Sequence, residues 1–286
     1  MKTALDCIPC FLRQTLEAVR VVSPDPAVHE KILREVLRWT AEMNLNESPP
    51  AVAQRIHRRI RELTGVTDPY RAAKDHWNQT ALRLLPDLEA MVKDAADPLA
   101  MAVRLAIAGN IIDLGVNGSV TEADLHRAIR QALDEPFTGE LEAFRTAVAR
   151  AGNILYLADN AGEIVFDRLL IQQLAPARIT VAVRGAPILN DATRDDARAA
   201  GLDQLFPIID NGSDAPGMIL KECSAEFRQR FDSADLIVAK GQGNFETLND
   251  EPRDIFFLFK AKCSVVARHV GVPVGTQVIQ RTRGGQ

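Results

Sequence analysis

Polar side chains with oxygen donors follow two short apolar segments in the second half of the sequence. Asp159 and Asn160 come directly after residues 154–158, and Asp191 lies a few residues beyond the segment 179–183. Carboxylate and amide oxygens are hard ligands that suit Mg²⁺ or Mn²⁺, which commonly also bind water and substrate phosphate. Such an ion polarises a phosphoryl oxygen and activates a bound water. The three residues therefore predict a metal site for phosphoryl transfer.

A cation and two glycines follow a third apolar segment, residues 236–239. Lys240 carries the charge, and Gly241 and Gly243 allow the backbone N–H groups of the loop to approach an anion. A loop of this kind can neutralise the charge that develops on phosphoryl oxygens. We expect Lys240, Gly241 and Gly243 to bind a substrate phosphate.

Each of these segments also has a purely structural interpretation. Asp and Asn after a strand are common helix N-caps, and Lys-Gly is common in surface turns. The recurrence of such groups after successive apolar segments is what favours the catalytic interpretation.

The apolar segments predict strands that alternate with helices. Residues 154–158, 179–183, 205–209 and 236–239 are short and apolar, and helical patterns separate them. Continuous apolar strands joined by helices indicate a parallel sheet covered on both faces, with ligands beyond the carboxyl ends of the strands. The predicted fold class is α/β: a helical N-terminal region followed by a doubly wound, mostly parallel sheet with helices on both faces.

The first half of the chain has the three- and four-residue apolar spacing of helices, interrupted by proline-containing turns. We predict an all-helical N-terminal domain over residues 1–150 and an α/β metal- and phosphate-binding domain over residues 151–286, closely packed with the first. Asn110 and Asp113 lie one helical turn apart in an apolar context. They either complete the pocket or make hydrogen bonds at a helix end.

A CxxC motif, Cys7 and Cys10, stands near the start of the sequence. It has no second CxxC and no nearby histidine to complete a zinc site, and its helical context differs from that of thioredoxin-like redox motifs. Buried structural thiols are one interpretation, and a second metal site or a redox role is the other.

The composition excludes several classes of protein. The 286 residues are 47% hydrophobic and 25% charged, which is ordinary for a globular protein, and their formal net charge is -4. A negative charge disfavours nucleic-acid binding, and no apolar run matches a membrane span or a signal peptide. Four cysteines are too few for a disulfide scaffold in a chain of this length. We expect a cytoplasmic protein with no nucleic-acid or membrane partner; its oligomeric state is not indicated.

Taken together, these segments resemble the damage-control phosphatase family, long called domain of unknown function 89, over the whole chain. The resemblance rests on six segments: Asp6-Cys7-Ile8-Pro9-Cys10, Gly109-Asn110-Ile111-Ile112-Asp113, Asp159-Asn160-Ala161-Gly162-Glu163, Arg184-Gly185-Ala186-Pro187-Ile188-Leu189-Asn190-Asp191, Lys240-Gly241-Gln242-Gly243-Asn244, and Lys262 before Cys263-Ser264-Val265-Val266. The early CxxC motif is similar to that of the microbial branch of the family.

The resemblance implies a divalent metal, Mn²⁺, Ni²⁺, Co²⁺ or Mg²⁺, and hydrolysis of small phosphate monoesters, such as damaged metabolites or sugar phosphates. It implies that the metal ligands are Asp159, Asn160 and Asp191. It also implies substrate contacts by Lys240, Gly241, Asn244 and Lys262. To these we add two predicted substrate-binding residues, Asn110 and Asn190.

We expect a metal-oriented water to attack phosphorus in line, with Glu163 or Asp113 as the general base. A covalent route through Asp159 is less favoured, because the sequence there lacks an Asp-x-Asp pair. Two other functions stay open. One is an S-adenosylmethionine-dependent carboxyl methyltransferase, which the absence of a glycine-rich loop after the first strand disfavours. The other is a non-catalytic protein that binds a phosphorylated metabolite or a metal.

Overall fold

A computed structural model describes residues 1–112, 121–134, 138–174 and 178–282. Its first part is helical: α1 (Cys7–Val22), α2 (Pro26–Ala41), α3 (Pro49–Thr64), α4 (Arg71–Asp94), α5 (Pro98–Gly109), α6 (Glu122–Asp134) and α7 (Leu141–Arg150). Proline begins α2, α3 and α5, where its missing N–H would have no partner within the helix. None of the described helices is long and apolar enough to cross a lipid bilayer.

The second part alternates strands with helices. After a two-residue strand, β1 (Thr138–Gly139), come β2 (Asn153–Leu157), α8 (Glu163–Gln173), β3 (Arg178–Val183), α9 (Arg194–Ala199), β4 (Ile208–Asp210), α10 (Ala225–Ser233), β5 (Leu236–Lys240), α11 (Gln242–Leu248), β6 (Ile255–Lys260), α12 (Ser264–Val270) and β7 (Gln277–Arg281). The strand order is β1-β7-β6-β5-β2-β3-β4, and only β6 and β7 pair antiparallel. The predicted fold class is confirmed.

Several element boundaries differ from the sequence prediction. The strand expected over 205–209 begins only at Ile208, because a short 3₁₀ turn over Leu202–Gln204 precedes it. β6 and β7 were not predicted, and β1 lies inside the region expected to be all helical. β1 is only two residues long and carries no periodicity, so the sequence offers no signal for it.

The strands bury alternate residues in two separate cores, as expected for a sheet covered on both faces. Ile154 and Tyr156 face the first core, with helices α4 to α9. Leu155 and Leu157 face the second core, with α10, α11 and α12. Residues on both sides of position 150 share the first core. The division into domains at that position stays a prediction.

Helices α1, α2 and α3 pack around a third core of their own, formed by residues such as Phe11, Val19, Ile32 and Ile56. We call these three helices the cap. A cluster of polar contacts on one face of α3 joins the cap to the loop after β4. There Asp214 accepts hydrogen bonds from three α3 side chains: Gln54 at 2.7 Å, Arg58 at 2.6 Å, and Arg61.

Candidate active site

The carboxyl ends of β2, β3 and β5 meet at the centre of the sheet. β2 lies between β3 and β5 in the sheet. The connection after β2 leads to β3 on one side of it, and the later connection from β4 leads to β5 on the other side. A crevice opens at such a switch point. Asp159 lies two residues beyond β2, and Arg184 and Gly241 directly follow β3 and β5. Asp159 and Gly241, two of the predicted site residues, therefore lie at this point of the sheet.

Backbone hydrogen bonds join the loops that follow β2 and β3. Asn160 and Asp191 form an isolated antiparallel bridge. Ala161 N donates to Asn190 O at 2.8 Å, and Ala192 N donates to Asp159 O at 2.7 Å. As a result, Asp159, Asn160 and Asp191 are all buried and line one cleft of about 210 Å³. The structure thus brings the three predicted metal ligands together.

Glu163, in the first turn of α8, holds two amide side chains. Its Oε2 accepts from Asn160 Nδ2 at 2.8 Å and from Asn110 Nδ2 at 2.9 Å. Both amides also donate to Asp159 Oδ2, at 2.9 and 3.2 Å. These contacts use the nitrogen of Asn160 and not Oδ1, the atom able to bind a cation. Glu163 itself is completely buried and lies outside the lining of the cleft.

Lys240 lies in a buried charge cluster beneath the cleft. Its Nζ donates to Glu163 Oε1 at 2.8 Å, to Asp167 Oδ1 at 2.5 Å and to Ala106 O at 2.9 Å. Burial lowers the pKa of Lys240, but Asp167 and Glu163 outweigh that effect, so the pKa is raised. Lys240 is therefore a permanent cation behind the site and is not among the lining residues of the cleft.

Asp167 shares this cluster and accepts a hydrogen bond from the Tyr156 hydroxyl at 2.9 Å. Burial raises the pKa of Asp167 to about 6, although the charge of Lys240 acts in the opposite direction. Its Oδ2 is buried without a hydrogen-bond partner among the described residues. Burial also raises the pKa of Tyr156 well above its ordinary value.

Arg184 is completely buried and contacts residues that follow three strands, in the loops after β2 and β3 and in α11. Its Nε donates to Asp191 Oδ2 at 2.6 Å, its Nη1 to Asn244 Oδ1 at 3.1 Å, and its Nη2 to Asp159 Oδ1 at 3.4 Å. Sequence analysis gave this residue no role. Its position directly after a central strand was the available signal.

The buried cluster carries more negative than positive charge. The two cations, Arg184 and Lys240, face four carboxylates: Asp159, Glu163, Asp167 and Asp191. When all are ionised, four negative and two positive charges leave a formal charge of -2, which one divalent cation would neutralise. Two carboxylates and an amide oxygen are also the donors that hard divalent ions prefer. The residues present therefore fit the metal that the sequence predicts.

Part of the cleft lining comes from the cap and part from the loop before α12. Cys7 and Cys10 of α1 line the cleft, as do Lys262 and Cys263. Burial raises the pKa of the Cys7 and Cys263 thiols, so both are protonated near neutral pH. Protonated thiols are poor nucleophiles. A second metal or redox role for Cys7 and Cys10 stays a prediction.

The remaining predicted site residues support the loops. Asn190 Nδ2 donates to Ile112 O at 2.9 Å, and Asn244 Nδ2 donates to Lys240 O at 2.7 Å. Gly243 lines the cleft. Gly241 has a φ of 79°, and a Cβ there would overlap the carboxylate of Asp159. Asp113 lies outside the described residues.

Sequence analysis also missed part of the cleft lining. Gln242, Arg13 and Gln14 line the cleft, as does Pro216 from the loop after β4. Arg13 and Gln14 lie on α1, far from the strand ends in sequence, so only the placement of the cap reveals them.

Comparison with known proteins identifies the family. The model of the damage-control phosphatase ARMT1-like domain matches residues 3–278. The chain belongs to this family. A protein of Archaeoglobus fulgidus named damage-control phosphatase is 38% identical over 285 residues, which cover 97% of this chain and 98% of that protein. Another protein named damage-control phosphatase, from Pyrococcus horikoshii, is 35% identical over 289 residues, 99% of both chains.

The fold agrees with this family membership. The crystal structure of a DUF89 family protein from Pyrococcus horikoshii matches with a TM-score of 0.89 at 33% identity, covering 99% of this chain and 100% of that one. An uncharacterised protein of Methanocaldococcus jannaschii is 33% identical over 295 residues, which cover 98% of this chain and 95% of that protein. The resemblance found in the sequence motifs is therefore confirmed over the whole length of the chain.

Proposed function

We propose that this protein is a divalent-metal-dependent phosphatase that hydrolyses small phosphate monoesters. The observation that carries the proposal is the bridge between Asn160 and Asp191, which brings two carboxylates and an amide into one cleft. The excess negative charge of the buried cluster supports a divalent cation there. Two relatives over nearly the whole chain are named damage-control phosphatases, which supports the reaction type.

The metal ligands would be Asp159, Asp191 and the amide oxygen of Asn160. When bound there, a divalent metal would polarise a phosphoryl oxygen and lower the pKa of a bound water. Lys262, which lines the same cleft, offers a positive charge to the phosphate oxygens. Glu163 keeps Asn160 oriented, because its carboxylate holds the amide nitrogen at 2.8 Å. With both of its oxygens occupied, Glu163 acts in this proposal as a positioning residue rather than as a base.

The size of the cleft favours a small substrate. Its volume of about 210 Å³ lies below the roughly 300–1,000 Å³ that is usual for drug-sized ligands. A cleft of this size suits a phosphate with a short hydroxylated or carboxylated body better than it suits a full nucleotide cofactor. The cleft therefore favours small phosphorylated metabolites, and it does not favour the S-adenosylmethionine-dependent methyltransferase.

The test is a turnover assay on protein stripped of metal with a chelator. p-Nitrophenyl phosphate and a panel of sugar phosphates would be assayed before and after addition of Mg²⁺, Mn²⁺, Co²⁺ or Ni²⁺. We expect turnover only with added metal, and a loss of about a hundredfold or more in Asp191→Asn. Asp195→Asn, which changes an exposed carboxylate on α9, is the matched control and should retain full activity.

Three results would contradict the proposal. If turnover persists after chelation, the reaction does not depend on a metal. If turnover is equal in Asp191→Asn and the wild type, Asp191 is not a metal ligand. Tight metal binding without turnover of any phosphate ester would instead support a non-catalytic binding protein.

A further inference from the structure

We infer that Arg184 is a positioning residue that fixes the two carboxylate metal ligands before a metal binds. The inference rests on the proposed function, since it concerns the ligands of the proposed metal. Three nitrogen atoms of one guanidinium contact residues that follow three different strands: Asp159 after β2, Asp191 after β3, and Asn244 in α11 after β5. Arg184 thus contacts Asp159, Asp191 and Asn244 at the same time.

The shape of the guanidinium suits this arrangement. Its planar group points N–H donors in several fixed directions, whereas a lysine ammonium is a compact charge on a flexible stem. The contact of Nε with Asp191 Oδ2, at 2.6 Å, is a short charge-assisted hydrogen bond. The contact of Nη2 with Asp159 Oδ1, at 3.4 Å, is longer and holds that carboxylate less tightly. Arg184 therefore fixes chiefly Asp191 and limits the movement of Asp159.

The backbone of Arg184 is braced as well. Its N–H donates to Ala192 O at 2.9 Å, and the next residue, Gly185, donates to Ser213 O and to Asn211 Oδ1, both at 2.9 Å. A Cβ on Gly185 would collide with the backbone of Gly212 at 2.6 Å. These hydrogen bonds and this close backbone contact fix the backbone that bears the guanidinium, as a positioning role requires.

Arg184 acts on the ligands and not on the substrate. Its side chain is completely buried and is not part of the cleft lining. Its positive charge close to two ligand carboxylates has two opposing effects. It repels an incoming cation, and it keeps the carboxylates together when their mutual repulsion would separate them. Holding the two carboxylates together outweighs the repulsion of the cation, because all three contacts of Arg184 fix side chains that lie beyond the carboxyl ends of the strands.

The experiment measures Mn²⁺ binding by isothermal titration calorimetry on chelator-treated wild type, Arg184→Lys and Arg184→Gln. Thermal unfolding with and without Mn²⁺ is recorded beside it. The control is Arg194→Gln, which removes an exposed cation that pairs with Asp210 outside the cleft. We expect Mn²⁺ affinity to fall about ten- to a hundredfold in Arg184→Gln, and to fall in Arg184→Lys as well, because charge without the planar fork is not sufficient. Arg194→Gln should bind Mn²⁺ like the wild type.

Other outcomes overturn the inference. Tighter Mn²⁺ binding in Arg184→Gln would show that charge repulsion dominates. A lower unfolding temperature with unchanged Mn²⁺ affinity would show a purely structural role. If Arg184→Gln does not fold, Arg184→Lys decides, and wild-type affinity in that variant refutes positioning. Absence of Mn²⁺ binding by the wild type itself would remove the proposed function, whereas equal binding by wild type and Arg184 variants would remove only this inference.

Discussion

Gly241 is a position where one added methyl group should directly disturb the proposed metal site. With φ at 79° and ψ at 161°, it adopts a conformation that residues with a side chain rarely take. A Cβ there would overlap the carboxylate of Asp159, and even the farther oxygen, Oδ1, would be only 2.8 Å away. We predict that Gly241→Ala both strains the backbone and displaces Asp159, a proposed metal ligand.

The expected magnitudes follow from these two effects. The backbone conformation alone should cost about 1–3 kcal/mol of stability. The carboxylate must also move by on the order of 1 Å before it reaches van der Waals distance from the new methyl group. A displacement of about 1 Å at a catalytic group can cost roughly a hundredfold in rate. We therefore expect Gly241→Ala to lose at least about tenfold in Mn²⁺ affinity and more in kcat/KM.

Gly271→Ala is the matched control. Gly271 also has a positive φ, 81°, but a Cβ there would meet nothing within 4 Å. It should lose stability in urea unfolding, by about 1–2 kcal/mol, and keep its metal affinity and turnover. If Gly241→Ala binds Mn²⁺ within twofold of the wild type and only its stability falls, Asp159 is not held at the metal site in the way described.

Three further predictions concern buried charges. Burial lowers the pKa of His57 from 6.5 to about 4, so the unfolded chain takes up a proton at a higher pH than the folded chain does. The free energy of unfolding should therefore fall by about 3 kcal/mol as the pH drops from 6.5 to 4. His57→Leu should remove this pH dependence. Burial raises the pKa of Asp167 from 3.8 to about 6, so the folded chain keeps its proton to a higher pH than the unfolded chain does. The free energy of unfolding should therefore fall by about 3 kcal/mol as the pH rises from 3.8 to 6. Asp167→Asn should remove this pH dependence, which is opposite in sign to that of His57. Lys240→Met leaves Glu163 and Asp167 without their buried cation and should destabilise the protein by about 3–5 kcal/mol.

Urea unfolding at pH 4, 5, 6 and 7 measures all three predictions. An unchanged pH slope in His57→Leu or Asp167→Asn would mean that the corresponding group does not titrate as its burial suggests. For Lys240→Met, the double variant with Asp167→Asn is informative, because removing one of the unpaired carboxylates should restore part of the lost stability. A double variant that is less stable than Lys240→Met would contradict the charge-balance argument.

The grouping of Asp159, Asn160 and Asp191 could be predicted, because parallel strands end at one edge of a sheet and the three residues follow neighbouring strands. The placement of Lys240 could not. Lys240 lies at the end of β5, where a phosphate-binding lysine is expected, but its ammonium group pairs with Glu163 and Asp167. These two acids lie one helical turn apart on α8. Two acids on one face of a helix, with apolar residues between them, were the available signal for a buried partner, and a single sequence does not say which cation that partner is.

The wall of the cleft was also beyond sequence reasoning. Arg13 and Gln14 reach it only because α1 packs on α2 and α3 and presents its other face to the strand ends. Amphipathic spacing predicts that α1 has a buried side, and it does not specify what lies against its polar side. The roles of Cys7, Cys10 and Lys262 and the cytoplasmic location stay predictions.

The separate core of the cap affects how the cleft can change. The proposed metal ligands and the residues beneath them depend on the two cores of the sheet, whereas Cys7, Cys10, Arg13 and Gln14 depend on the packing of α1 to α3. We therefore expect substitutions on the polar side of α1 to change the lining of the cleft without changing the packing that holds the proposed metal ligands. On the proposed function, relatives with the same ligands can differ in substrate through the cap, and exchange of residues 6–14 between two relatives tests this.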